Sequence, residues 1–304
     1  MARPGTQQLA MAATAALLAA MPLAAPSPAA AAPAIAPASA TVFATPAPTL
    51  TWSAAMPRAP AILATTGTTM AWKPELTITA ASVTAAVSQP QVVARAAEAY
   101  AARLATLDAA HALDADTRFL ERVQRIAAGL IAQAASDYPE TAGWSWQIHT
   151  TAEPEQDADC MAGGKILVGQ PYAERLALND AELAMLLSHE IAHAALRHNL
   201  QEYELALRLE PNRAARPFAD LWNAVDHDRP LMDKLAPLGR EQEAEADRAG
   251  LLLAVHAGWP PERLANYYHK LLRASDWPAR DSDSHPSPLS RWHAMQALAS
   301  TLQH

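Results

Sequence analysis

The pentapeptide His189-Glu190-Ile191-Ala192-His193 has residue types and a spacing suited to metal-assisted hydrolysis. Two histidines four residues apart project from one helical face, so a single metal ion can take a nitrogen from each. Glu190 follows the first of them and sits beside that face. There its carboxylate can take a proton from a water that the metal has made more acidic. A chain with 11 histidines can also produce such a motif by accident. A core histidine bonded to a carbonyl would explain one of the pair, but hardly two with a glutamate between them.

The flanking residues favour the chemical reading. Asn179-Asp180 can cap a helix starting near Ala181, with Glu182 in its first turn. From Ala181 to His198 there is no Gly or Pro, and Ala and Leu dominate, which predicts one helix through the motif. Leu183, Leu186, Leu187, Ile191 and Ala194 give that helix a broad apolar surface. Burial of this surface would fix the ligand rotamers. His198 lies off the face of His189 and His193, and Arg197-His198 is read as the helix C-terminus or as domain packing.

Two histidines leave zinc short of its usual three protein ligands. No histidine stands six residues after His193, where Asn199 is found. A glutamate from a later helix is the other common solution, and Glu241-Gln-Glu-Ala-Glu-Ala-Asp247 offers three. On a helix Glu243 shares a face with Ala246, Asp247, Gly250 and Ala254, whose small side chains suit tight helix packing. Glu245 points almost the other way, with Arg248 and Leu252. Glu243 is therefore the expected third ligand. Asp247, one turn later, is placed to accept the ring N–H of a ligand histidine, His189 before His193. Without the histidine pair, the same segment would read as a solvated acidic helix start.

These helices need a domain around them. The chain has 304 residues and a formal net charge of −8, which argues against nucleic acid as the main partner. Residues 1–32 read as a secretory signal peptide: Arg3, the apolar run Leu9 to Ala25, then small residues. Residues 33–90 form an Ala/Pro-rich linker, with Leu76-Thr-Ile-Thr as a possible short strand. The catalytic domain is expected over 91–304. No later stretch approaches the roughly twenty apolar residues that span a bilayer, so a soluble or peripherally attached periplasmic or secreted protein is expected. Cys160 is the one cysteine and reads as a packed strand residue.

Helices are expected over Val92–Leu113 and Asp116–Ala135, and a half-buried strand over Trp144–Thr150. Another strand is expected over Cys160–Val168, broken at Gly163-Gly164. Gln201 to Gly239 is polar and carries Pro211, Pro217, Pro230 and Pro237, which suggests short lid helices such as Phe218–Val225. Helices Glu241–Ala257, Pro261–Ala274 and Pro286–Leu302 complete the reading. The fold class is α+β, mostly helical, with a small β-sheet beside the metal helix.

Taken together, Gly163-Gly164-Lys165-Ile166-Leu167-Val168, the helix from His189 to His198, Glu243-x-x-Ala-Asp247-x-x-Gly250 and Ser284-His285-Pro286 with Arg291 resemble metallopeptidase family 48. This is the gluzincin-type family of HtpX and the CAAX prenyl proteases, and the likeness is to its periplasmic quality-control branch. It covers about Val92 to Leu302. The resemblance implies one Zn2+ on His189, His193 and Glu243, with Glu190 as general base and acid. It implies that Gly163, Gly164, Lys165, Ile166, Leu167 and Val168 form an edge strand to which an extended substrate adds. It also implies that His285 and Arg291 approach the metal and stabilise the oxyanion, or that His285 fills the open metal position at rest. A turn leading into the last helix, with Pro286 at its first position, is the plainer account of His285. The family's multi-spanning branches have transmembrane helices and some periplasmic members a C-terminal repeat domain; neither is expected in this chain. Asp157 also replaces a common asparagine.

The function expected on this basis is zinc-dependent endoproteolysis of unfolded or misassembled envelope polypeptides. Three alternatives stand beside it: hydrolysis of a non-peptide bond, a metal-binding chaperone-like factor with latent proteolysis, and an inert module carrying an accidental motif.

Overall fold

In a computed structural model of the chain, residues 87–282 and 284–302 are described. The signal segment, nearly all of the linker and its Leu76–Thr79 strand fall outside them. Among the described residues the helices are α1 (Gln89–Ala109), α2 (Thr117–Asp137), α3 (Gln170–Arg175), α4 (Asp180–Ala195), α5 (His198–Leu209), α6 (Phe218–His227), α7 (Arg229–His256), α8 (Pro261–Ala274) and α9 (Pro288–Thr301). Three strands lie between α2 and α3: β1 (Gln147–Thr151), β2 (Ala158–Met161) and β3 (Lys165–Gly169). The first helix thus begins at Gln89, two residues inside the segment assigned to the linker.

α4 is the buried axis of the domain. It packs against α2, α7, α8 and β2, and nearly every residue from Ala181 to Ala195 is covered. Its start is fixed as the sequence predicts. Asn179 Oδ1 accepts from the N–H groups of Ala181 and Glu182, and Glu182 Oε2 accepts from Asn179 N–H at 2.8 Å. Arg122 and Arg125 of α2 hold Asp180, while Lys270 of α8 holds Glu182 at 2.6 Å. The carboxylates at the positive end of α4 are thereby tied to two neighbouring helices.

α7 crosses α4 closely because Gly250 lacks a side chain. A Cβ there would lie 2.8 Å from both Cα and N of His189. α7 is also longer than expected. It starts at Arg229 rather than Glu241 and runs through Pro237 for 28 residues. The Gln201–Gly239 segment is helical through α5, α6 and the start of α7, and the expected Phe218–Val225 helix extends to His227. Together with α1, it builds a second apolar cluster around Val92, Leu207, Leu221, Trp222 and Leu231. Apolar residues spaced along α5 and α6 provide burial that Pro211, Pro217 and Pro230, all at helix starts, do not prevent.

Two further expectations are corrected. The helix through the motif ends at Ala195, three residues early. Arg197 adopts φ 60, ψ 39, in the left-handed region, and α5 begins at His198. The Cys160–Val168 segment is a hairpin of two strands. Gly163 and Gly164 turn it with φ of +81 and +79, and a Cβ on either would strike Val93 at 2.8 Å or Trp146 at 2.6 Å.

The sheet order is β1-β3-β2, with β1 parallel and β2 antiparallel to β3. Lys165 to Val168 therefore occupy the central strand and not an edge, so both sides of their backbone are already paired. Ile166 and Val168 face the cluster under α2 and α4, while Leu167 meets Tyr100 and Leu107 of α1. The outer side of β1 is also occupied. Leu113 bridges to Thr151, and Thr150 N–H donates to Asp114 Oδ1 at 2.8 Å. Among the described residues, no strand pairs with the outer side of β2, which packs on α4.

Candidate metal centre

Helical spacing on α4 brings the ring nitrogens of His189 and His193 together, with Nε2 to Nε2 at 3.1 Å. Glu243 comes from α7, made close by Gly250. Its Oε2 lies 3.5 Å from His189 Nε2, and its Oε1 lies 3.3 Å from His193 Nε2. The three donor atoms all lie within 4.8 Å of one another. Glu243 Oε2 is buried with no hydrogen-bond partner among the described residues. Two imidazole nitrogens and one carboxylate oxygen are a donor set that fits catalytic zinc.

The far side of His189 is held by charge. Its Nδ1 lies 2.9 Å from Oδ1 of Asp247, which is 1% exposed. Asp247 also accepts from Arg291 Nε at 2.8 Å, from Arg291 Nη2 at 2.6 Å and from the Tyr268 hydroxyl at 2.6 Å. Burial alone would raise the Asp247 carboxyl, but the Arg291 guanidinium outweighs it and holds the group below its ordinary range. Burial likewise opposes charge on His189, yet Asp247 and Glu243 raise that ring to about 10 in the metal-free protein.

Arg291 and His285, both singled out in the sequence, reach this centre differently. Arg291 is buried, and its Nη2 also lies 3.3 Å from Glu243 Oε2. Its guanidinium is thus committed to two carboxylates. His285 sits on the loop before α9, with Nε2 3.3 Å from Glu243 Oε1 and Nδ1 2.8 Å from Ser284 Oγ. Burial lowers this ring to about 4. Pro288, not Pro286, takes the first helical position, and Ser287 caps the helix by accepting from Ser290 N–H.

Glu190 lies next to His189 and is partly exposed. Among the described residues, none hydrogen-bonds its carboxylate. Burial pushes it up to about 8, against the pull of His189. Of the segment Gly163 to Val168, Lys165 to Val168 lie in β3 between β1 and β2, and β2 packs more extensively on α4.

The sequence reading missed one residue of the centre. His198 is 2% exposed, and its Nδ1 lies 2.9 Å from His193 Nδ1. On an unbroken helix a residue five positions on would sit about 140° around from His193. The reversal at Arg197 brings it back. Burial, reinforced by His193, lowers the His198 ring to about 3. No glycine or asparagine marks the reversal, so the sequence carried no local signal for it.

Comparison with known proteins agrees with this geometry. The family model described as peptidase family M48 matches residues 117–299, more than half of the chain. The mitochondrial metalloendopeptidase OMA1 of Arabidopsis thaliana is 34% identical over 145 residues, covering 46% of this chain and 28% of that protein. OMA1 of Schizosaccharomyces pombe is 27% identical over 151 residues, covering 48% of this chain and 44% of that protein. The beta-barrel assembly-enhancing protease of Escherichia coli K12 is 24% identical over 151 residues, covering 45% and 31% respectively. The chain thus spans less than half the length of each of these curated relatives. By the extent of the family match, the chain belongs to peptidase family M48.

Proposed function

We propose that this protein is a zinc metalloendopeptidase, with one Zn2+ held by His189, His193 and Glu243. The observation that carries the reading is the convergence of these three side chains from two helices, with Glu190 unpartnered beside them. Bound zinc would supply a Lewis acid that polarises the scissile carbonyl and makes water more acidic. Glu190 takes the proton of the attacking water and returns it to the departing amine. Asp247, clamped by Arg291 and Tyr268, keeps His189 in one orientation.

The outer side of β2, with which no strand pairs among the described residues, is where an extended chain would add. Main-chain pairing there would tolerate many sequences, which suits unfolded or misassembled polypeptides as substrates. We further propose that residues 1–32 direct export and that the substrates are envelope proteins. Among the described residues, no helix is long and apolar enough to cross a membrane.

The deciding experiment is digestion of unfolded casein by the purified mature protein, with zinc quantified, beside Glu190→Gln. Cleavage lost in the variant, with about one zinc per chain retained, is the expected result. Absence of zinc from the wild-type protein would sink the proposal. A second reading, a metal-binding chaperone-like factor with latent proteolysis, is favoured by His285, whose Nε2 shares Glu243 Oε1 with His193. Zinc without cleavage, followed by cleavage in His285→Ala, would support that reading.

A further inference from the structure

The two histidines of the motif are braced by unlike partners. His189 has a carboxylate behind it. His193 has another imidazole, His198, at 2.9 Å between the two Nδ1 atoms. One nitrogen of such a pair must carry the proton and the other must accept it. His193 Nε2 points at His189 and Glu243, so a metal there requires that nitrogen to be bare. The proton of His193 must then sit on Nδ1, and His198 Nδ1 must be the acceptor. The proton of His198 falls on Nε2, a buried atom without a hydrogen bond that has Glu245 Oε2 3.5 Å away.

The backbone is arranged to hold this contact. Arg197 in the left-handed region reverses the chain directly before His198. Gln242, the residue before Glu243, donates from Nε2 to the His198 carbonyl at 3.1 Å. The same side chain donates to Gln201 Oε1 at 3.1 Å. His198 is thus fastened to the helix that supplies the third ligand.

We propose that His198 is a positioning residue: its Nδ1 accepts the Nδ1 proton of His193, fixing the tautomer that leaves His193 Nε2 free for the metal. This rests on the zinc site proposed above. It concerns the affinity of that site and not its chemistry alone.

The test compares wild type, His198→Asn and His198→Gln by chelator competition for zinc, with the melting temperature of each metal-free protein measured alongside. Asparagine can place an acceptor oxygen where Nδ1 stood. Glutamine, one bond longer, places its polar group near the position of Nε2. Affinity close to wild type for Asn is expected, with a loss of about 10–100-fold for Gln, at similar metal-free melting temperatures. Equal affinities in the two variants, whether intact or reduced, would overturn the assignment. Should the Gln variant fail to fold, nitrogen-15 NMR of the zinc-loaded wild type decides. His193 protonated on Nδ1 and His198 on Nε2 are expected, and a proton on His198 Nδ1 overturns the proposal. Failure of the wild type to bind zinc would instead defeat the metal site itself.

Discussion

Asp247 and Asp159 are both buried carboxyls, one among the helices and one in the sheet, and their surroundings drive them in opposite directions. Asp247 meets Arg291, Tyr268 and His189, and stays ionised below its ordinary range. Asp159 on β2 accepts one bond, from Gln156 Nε2 at 3.1 Å, and its Oδ1 is buried without a partner. Burial pushes Asp159 up to about 7. Depth alone therefore says little about charge. The region around His189, His193 and Glu243 keeps its buried carboxylate fully partnered, whereas the sheet tolerates one that gives up its charge.

The contrast can be broken most severely at Asp247. Asp247→Ala leaves Arg291 buried with only Glu243 nearby, and should cost about 3–5 kcal/mol in urea unfolding of the metal-free protein. A cost under about 1 kcal/mol would show that the network adds little. Asp159→Asn should act the other way and depend on pH. A carboxyl raised to about 7 in the fold, against an unfolded value of about 4, contributes stability that is fully present below about pH 4. That contribution declines as pH rises towards 7, because the unfolded chain releases the proton first. The variant should therefore gain on wild type by about 2–3 kcal/mol between pH 5 and pH 8. A gap that does not change with pH would remove the contrast.

Two smaller tests probe the backbone on the helical side. Gly250→Ala places a Cβ against the backbone of His189 and should destabilise by about 1–3 kcal/mol, despite alanine's better helix propensity. Thermal melting reads this directly, and a rise in melting temperature would mean that α7 can draw back. Arg197→Gly relieves a left-handed residue and should stabilise by about 1 kcal/mol, since its partner Glu140 is 3.8 Å away on the surface. A loss of stability would show that the Arg197 side chain matters more than its backbone.

Much of the centre was legible in the sequence because it depends on helix periodicity. Glu243, Asp247, Gly250 and Ala254 share a buried face, as their spacing requires. The capping box at Asn179 and the limits of α8 follow from local chemistry as well. Features that depend on distant contacts were not legible. Whether β3 is central or at an edge is decided by β1 and β2, although the unalternating Ile166-Leu167-Val168 is what a strand covered on both faces looks like. α7 passes through Pro237 because apolar residues on either side, Leu231 and Leu235 before it and Ala246 after it, are buried in tertiary contacts. The placement of His198 beside His193 was hidden because Ala194-Ala195-Leu196-Arg197 carries no sign of a helix end.

The turn at Arg197 also acts as a length gauge. Between Ala195 and His198 only two residues are available to reverse the chain. Insertion or deletion of one residue there would change where α5 starts and the direction in which it leaves α4. His198 would then leave His193 while every side chain of the motif stayed in place. In this stretch the chain can vary its residue types more freely than its residue count, and a change of count would be felt at the metal helix without altering a single ligand.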